Sequence, residues 1–173
     1  TLPIIQDMTI TLTPEVEVEM DKMKEAPAEH IDKKDNRPTI LVVEDNPDML
    51  SFVVRQLSKE YMVLTATNGV EGLQLLDGNY VNLVVSDVVM PVMDGFEVLS
   101  HMNRNHWIDD IPVILISGED ADPVIRRAYE MGVSDYINRP FDAGIVCRRV
   151  FNTVKLYAKQ RRLVSLMMAH INE

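Results

Sequence analysis

From Thr39 onward, short apolar runs alternate with longer segments in which apolar residues recur every three or four positions. The short runs are rich in β-branched residues and predict buried parallel strands, whereas the longer segments predict amphipathic helices. Strands are predicted at 39–44, 61–67, 81–86, 112–117 and 133–138, and helices at about 47–60, 68–77, 95–104, 120–131 and from 142 onward. This alternation indicates a parallel sheet that is covered by helices on both faces.

Five strands in this arrangement favour the flavodoxin-like doubly wound fold, an α/β architecture with strand order 2-1-3-4-5. In such a fold the functional crevice lies outside the carboxyl ends of strands 1 and 3. The residues that end strands 1, 3, 4 and 5 are therefore the candidates for chemistry.

The first 37 residues have a different character. Three prolines interrupt them, and nine acidic against five basic residues give a net charge of −4. We interpret residues 1–37 as an acidic linker or tail. One or two edge strands are an alternative, because apolar residues alternate with polar ones at Ile10, Leu12, Val16, Val18 and Met20.

The composition indicates which kinds of binding partner and which cellular compartment are compatible with this chain. The formal net charge of −10 makes direct nucleic-acid binding unfavourable and suits a bound cation. Cys147 is the single cysteine, so an intrachain disulfide is excluded. No apolar run approaches the roughly 18 residues of a membrane span. We therefore expect a cytoplasmic protein without membrane contact.

Acidic residues stand where strands 1 and 3 end. Glu44 and Asp45 close strand 1, and Asp87 closes strand 3. Three carboxylates in one crevice repel one another and need a cation, and hard oxygen ligands of this kind suit Mg²⁺. A single acid at a strand end more often faces solvent, but three at the crossover point of the sheet favour a metal site.

Strands 4 and 5 contribute a hydroxyl and a cation. Ser117 ends strand 4, and its hydroxyl can bond a phosphoryl oxygen. Arg139 follows strand 5, and its guanidinium can neutralise a phosphoryl group. A carboxylate such as Asp87 that accepts a phosphoryl group forms an acyl phosphate, whose formation depends on this kind of charge neutralisation.

Four segments together resemble the receiver domain of bacterial response regulators in two-component signalling. They are Ile40–Asn46 (ILVVEDN), Ser86–Gly95 (SDVVMPVMDG), Pro112–Gly118 (PVILISG) and Asp135–Phe141 (DYINRPF). The resemblance covers about Thr39 to Lys159. We accordingly expect a receiver domain over residues 38–159 and a helical extension over 160–173.

The resemblance implies a role for each site residue. Asp87 is expected to accept the phosphoryl group from a phosphohistidine, and Glu44, Asp45 and the Val89 carbonyl are expected to hold Mg²⁺ together with Asp87. Ser117 and Tyr136 are expected to form the conformational switch. Arg139 stands where the family normally has lysine, so the pocket keeps its positive charge in a longer, planar side chain.

The implied function is that of a signalling module rather than an enzyme acting on other molecules. It catalyses only its own phosphorylation and dephosphorylation, and its partner is a histidine kinase or phosphotransfer protein. A phosphohydrolase with an aspartate nucleophile is disfavoured, because such enzymes typically have a second Asp where this chain has Val89. A flavin-binding module of the flavodoxin type is disfavoured as well, because the loop 44–47 after strand 1 is acidic and would repel a phosphate group. A docking module that is not phosphorylated stays an alternative because of Arg139.

The two ends of the chain extend beyond the receiver. The last helix carries a heptad seam of Val150, Val154, Tyr157, Arg161, Val164, Met168 and Ile171, which favours a homodimeric coiled coil over a frayed end. Thr1–Ile4 is similar to the closing strand of a histidine-kinase ATP-binding domain, and the chain begins with Thr1 rather than Met. A fragment of a hybrid histidine kinase is one interpretation of the whole chain.

Overall fold

The structure is a computed structural model that describes residues 36–118, 121–139 and 142–171. The predictions for the first 35 residues concern the acidic linker, its alternative edge strands and the kinase-like segment at Thr1. All three lie outside the described residues.

One parallel sheet of five strands forms the centre of the protein. The strands are β1 (Thr39–Val43), β2 (Met62–Ala66), β3 (Leu83–Asp87), β4 (Val113–Ser117) and β5 (Asp135–Asn138). Their order is β2-β1-β3-β4-β5, which confirms the predicted flavodoxin-like topology. Val43 at the end of β1 pairs with Ser86 of β3, so the residues that follow β1 lie beside Asp87.

In the described part of the chain, five helices cover the sheet. They are α1 (Pro47–Leu57), α2 (Gly69–Gly78), α3 (Gly95–Arg104), α4 (Asp122–Glu130) and α5 (Ala143–Ile171), with a 3-10 turn at Trp107–Asp109 before β4. The predicted boundaries agree to within about three residues. The largest difference is at α1, which ends at Leu57 because the amides of Glu60 and Tyr61 both donate to the Leu57 carbonyl in a closing turn.

Alternate residues of each strand enter different apolar layers. Leu41 of β1 packs with Leu99 of α3 in the layer that α2, α3 and α4 cover. Ile40 of β1 packs with Leu57 of α1 and Val150 of α5 in the opposite layer. Because both faces of the sheet are buried, the strands read as continuous apolar runs without polar alternation.

The loops at the carboxyl edge of the sheet are fixed by local hydrogen bonds. Asn46 caps α1, since its side-chain oxygen accepts hydrogen bonds from the amides of Asp48 and Met49 at 2.9 and 3.0 Å. Asp94 caps α3 in a reciprocal pair with Glu97. Both helices therefore begin at a defined residue next to the candidate site.

Gly95 lets α3 begin directly against the end of β3. A Cβ atom at this position would lie 2.7 Å from the backbone oxygen of Asp87. Only glycine fits this close approach between two backbones. The short loop between Asp87 and α3 is thereby held close to the sheet.

Helix α5 extends well past the sheet. Its 29 residues span about 43 Å at 1.5 Å per residue. Val150 is fully buried, the Tyr157 hydroxyl lies 3.3 Å from the Ser134 hydroxyl, and Arg161 Nη1 lies 3.4 Å from the Tyr80 hydroxyl. The first part of the predicted seam therefore faces the domain itself.

Beyond Arg161 the helix carries exposed apolar side chains. We call residues 163–171 the distal segment of α5. Four of its large apolar side chains are more than half exposed, namely Leu163, Leu166, Met167 and Ile171. The long C-terminal helix is confirmed, and its distal segment presents apolar surface beyond the contacts with Ser134 and Tyr80. Over the described part of the chain, no helix is both long and apolar enough to cross a membrane.

Candidate functional site

Three carboxylates converge at the carboxyl edge of the sheet. Glu44 and Asp45 follow β1, and Asp87 is the last residue of β3. One oxygen from each lies within 4.8 Å of the others. Glu44 and Asp87 are buried, at 4% and 7% exposure, whereas Asp45 is exposed. The fold therefore brings together the three acids that the sequence singled out, and their oxygens match the ligands of a hard divalent cation.

Arg139 lies across two of these carboxylates. Its Nη2 atom is 2.5 Å from Glu44 Oε1 and 3.2 Å from Asp87 Oδ2. The side chain is 29% exposed, so these contacts form at the mouth of a partly desolvated site. The Arg139 amide also donates to the Ser117 carbonyl at 2.8 Å, which ties the end of β5 to the end of β4.

The electrostatics of the site reflect the burial of like charges. The pKa of Glu44 is raised to about 7, mainly by burial and also by the neighbouring charge of Asp87, while the amide of Asn46 and the guanidinium of Arg139 oppose the shift. Burial also raises the pKa of Asp87, against the lowering effects of Arg139 and of backbone hydrogen bonds from Val88 and Val89. A bound cation would relieve both carboxylates.

An open cleft of about 380 Å³ lies above these groups. Its lining consists of Glu44, Asp45, Asn46, Asp87, Val89, Ser117, Gly118 and Arg139. Ser117 is 1% exposed and ends β4, while Val89 is 65% exposed at the rim. Seven of the eight residues are polar, charged or glycine, so the cleft suits a small charged group rather than an apolar ligand.

Tyr136 occupies a different position from the other predicted site residues. It lies on β5, is 7% exposed, and belongs to the apolar layer under α2, α3 and α4. It does not appear in the lining of the cleft. Its register partner on β4 is Leu115, two residues before Ser117.

Three features of the site and of the loop after β3 were missing from the sequence analysis. The Asn46 amide donates to Glu44 Oε2 at 3.2 Å, and Val92 in the loop after β3 has a positive φ of 70°, which is unusual for a β-branched residue. The contact between Glu44 and Arg139 joins residues that are 95 positions apart. Sequence spacing carries no signal for either contact of Glu44, because both depend on the final packing of loops.

The comparisons with known proteins agree with this geometry. The family model described as the response regulator receiver domain matches residues 40–151. The chain is 37% identical over 121 residues to hybrid signal transduction histidine kinase D of Dictyostelium discoideum. That match covers 70% of this chain and 8% of the relative.

Two further similarities support the same family and fold. The heme response regulator HssR of Staphylococcus aureus (strain MRSA252) is 31% identical over 118 residues, 68% of this chain and 51% of the relative. The chain thus spans about half of the length of HssR and less than a tenth of the length of the kinase. A CheY-like receiver domain protein from Methanospirillum hungatei JF-1 superposes with a TM-score of 0.67 at 21% identity, over 72% of this chain and 99% of that one.

Receiver domains act in two-component signalling and interact with histidine kinases or phosphotransfer proteins, and they bind Mg²⁺ through an acidic pocket. The matched residues include the ends of β1, β3, β4 and β5, where the cleft lies. The chain belongs to the response regulator receiver domain family.

Proposed function

We propose that Asp87 is the phosphoacceptor of this receiver domain, and that its donor is a phosphohistidine on a histidine kinase or phosphotransfer protein. The observation that supports this most directly is the position of Asp87. It ends β3 at 7% exposure and lines the cleft beside two other carboxylates and a guanidinium. A phosphoryl group that enters the cleft therefore lies next to Asp87 and close to the guanidinium, which can balance its negative charge.

The proposed reaction is a transfer between two side chains. An oxygen of the Asp87 carboxylate forms a bond to phosphorus while the bond between phosphorus and the histidine nitrogen breaks. The electron pair of that bond returns to the imidazole, which takes a proton from solvent. The product is an acyl phosphate on Asp87, which water later hydrolyses. The domain thus acts on itself rather than on other substrates.

The residues around Asp87 fit Mg²⁺ as cofactor. All donors are oxygens, and those of Glu44, Asp45 and Asp87 lie within 4.8 Å of one another. We assign these three side chains and the backbone carbonyl of Val89, which lines the same cleft, as the groups that hold the ion. When bound, Mg²⁺ neutralises the carboxylates and the phosphoryl oxygens.

Ser117 and Arg139 are proposed to contact the phosphoryl group. Both line the cleft, and the backbone bond between them sets their spacing. The Ser117 hydroxyl can donate to a phosphoryl oxygen, and the Arg139 guanidinium can balance its charge. Tyr136 is proposed to respond to Ser117 through the packing between β4 and β5.

The proposed output is the face formed by α4, β5 and α5. Arg149 of α5 holds Asp135 of β5 through two contacts, from Nη1 to Oδ1 at 2.6 Å and to Oδ2 at 2.7 Å. A shift of β5 that follows Ser117 and Tyr136 would therefore move α5 as well. We expect phosphorylation to change the affinity of this face for a partner protein.

The homodimer is proposed to form through the distal segment of α5. Val164, Met168 and Ile171 continue the heptad seam, and Leu163, Leu166 and Met167 add exposed apolar surface beside it. Two such segments from two copies would cover these side chains. The part of the seam before Arg161 is used within the domain.

The test of the phosphoacceptor is incubation with acetyl phosphate and Mg²⁺, followed by intact-mass measurement. We expect a single phosphoryl adduct that requires Mg²⁺ and that is absent from Asp87→Asn. Far-ultraviolet circular dichroism of the variant checks that the fold is kept. An adduct that persists in Asp87→Asn would reject Asp87 as the acceptor.

A further inference from the structure

The Glu44 carboxylate is engaged at both of its oxygens. Oε1 accepts from Arg139 Nη2 at 2.5 Å, and Oε2 accepts from the Asn46 amide at 3.2 Å. Asn46 is itself fixed, because its side chain caps α1. The orientation of Glu44 is therefore set by the start of α1, and Glu44 in turn receives the guanidinium.

Arg139 depends on this contact for its place in the cleft. Nη2 alone makes its two ion pairs, to Glu44 at 2.5 Å and to Asp87 at 3.2 Å. The Nε atom is buried and has no hydrogen-bond partner within the described ranges. The contact to Glu44 is the shorter of the two, and charge-assisted bonds of this length are the strong ones. A chain of contacts thus runs from Asn46 to Glu44, to Arg139 and to Asp87.

The lengths of the two side chains are matched. An aspartate at position 44 would withdraw the carboxylate by one methylene group, and a lysine at position 139 would replace the planar fork by a single ammonium group. Either change alone would lengthen or remove the contact between the two side chains. Both changes together would remove nothing more, because the contact is already lost after the first.

We propose that Glu44 is a positioning residue for Arg139, which sets the guanidinium across Asp87 where a transferred phosphoryl group would lie. The inference rests on the proposed function, since it assigns to Arg139 the neutralisation of that group. It adds that the arginine acts only together with the glutamate, and that the two residues behave as one unit.

The rate of phosphorylation measures this coupling. Acetyl-phosphate labelling is followed at saturating Mg²⁺ for the full chain, with the Mg²⁺ affinity of each variant determined first by calorimetry. We expect Glu44→Asp and Arg139→Lys each to slow labelling on the order of tenfold, since small displacements of a positioned group have effects of this size or larger. The double variant should be no slower than the slower single variant.

A side-chain pair that joins a cation to an oxygen acceptor away from the cleft serves as the matched control. Lys59 Nζ donates to Gln56 Oε1 at 3.3 Å on the exposed surface at the end of α1. Gln56→Asn shortens the acceptor by one methylene group and Lys59→Arg changes the form of the cation, and both should leave the labelling rate within about twofold of the wild type. Effects of Glu44→Asp and Arg139→Lys that multiply in the double variant would overturn the coupling.

A spectroscopic measurement tests the position of the guanidinium directly. The Nε–H resonance of Arg139 in nitrogen-15-labelled protein is assigned by its absence from Arg139→Lys. We expect this resonance to shift in Glu44→Asp and to stay in place in Gln56→Asn. An unchanged resonance in Glu44→Asp would overturn the positioning role.

The two measurements separate this inference from the proposed function. Should the wild type form no phosphoryl adduct, the phosphoacceptor proposal fails, yet a shifted Arg139 resonance in Glu44→Asp still supports the positioning of Arg139 by Glu44. Should the adduct form while the resonance stays unchanged, the phosphoacceptor proposal stands and the positioning role is rejected.

Discussion

The carboxyl edge of the sheet and the distal segment of α5 depart in opposite ways from the usual division between apolar interior and polar surface. At the edge, Glu44 and Asp87 are charged groups at 4% and 7% exposure. In the distal segment, Leu163 and Leu166 are apolar groups at 60% and 61% exposure. Buried charges and exposed apolar side chains are the observations that carry information about function.

The two regions differ in the kind of group that each would bind: one needs its charge neutralised, and the other needs its apolar surface covered. The carboxyl edge has excess negative charge that Arg139 balances only in part, so a cation completes it. The distal segment has apolar surface and no Asp, Glu, Lys or Arg from Leu163 to Ile171, so another apolar surface would complete it. We propose that the first region binds an ion and a phosphoryl group, and that the distal segment binds a second copy of the chain.

The largest expected change in the free energy of unfolding comes from a substitution in the buried interior between these regions. Leu99 of α3 is fully buried in the layer under the sheet. We expect Leu99→Ala to lower the free energy of unfolding by about 2–5 kcal/mol, through lost burial and the remaining cavity. Urea denaturation measures this, with Leu166→Ala as the matched exposed leucine. A small effect at Leu99 would show that the interior is not close-packed there.

Addition of Mg²⁺ should stabilise the domain through the carboxyl edge alone. At a free concentration about 100-fold above the dissociation constant, we expect a gain of about 2.7 kcal/mol, because the ion binds the folded state. Thermal denaturation with Mg²⁺ and with a chelator measures it. The gain should shrink in Asp87→Asn and persist in Leu166→Gln. Equal gains in the two variants would contradict a metal site at the edge.

Removal of a buried charge from the edge should stabilise the domain in the absence of divalent ions. Asp87→Asn keeps the shape of the side chain and leaves Glu44 paired with Arg139. We expect the free energy of unfolding to rise by about 1 kcal/mol in a chelator-containing buffer, as an unfavourable charge is neutralised. Urea denaturation of both proteins checks the sign. A loss of stability would show that Arg139 balances both carboxylates fully.

Substitution in the distal segment should have the smallest effect on stability and a clear effect on association. We expect Leu166→Gln to change the free energy of unfolding of the monomer by less than about 0.5 kcal/mol, because the side chain is exposed. The same change should weaken self-association in sedimentation or light-scattering measurements. Lys159→Gln, also exposed, is the control. A wild-type chain that is monomeric at all concentrations tested would reject the homodimer.

The fold and the acidic cluster could be predicted from the chain alone for local reasons. Continuous β-branched runs such as that from Thr39 are buried strands whatever surrounds them, and glycines and caps mark where the helices begin. The crossover rule for doubly wound sheets then places Glu44, Asp45 and Asp87 at one edge. The structure confirms the strand order and the proximity of the three acids.

Other features were decided only by the tertiary structure. The helical periodicity of α5 continues through Arg161 without a break, yet packing divides its seam into a part that faces the domain and an exposed distal segment. The guanidinium of Arg139 reaches Glu44 across 95 positions of the chain. Local sequence determines periodicity and strand ends. Which of the neighbouring carboxylates Arg139 contacts depends instead on distances that exist only after the sheet and its loops have packed.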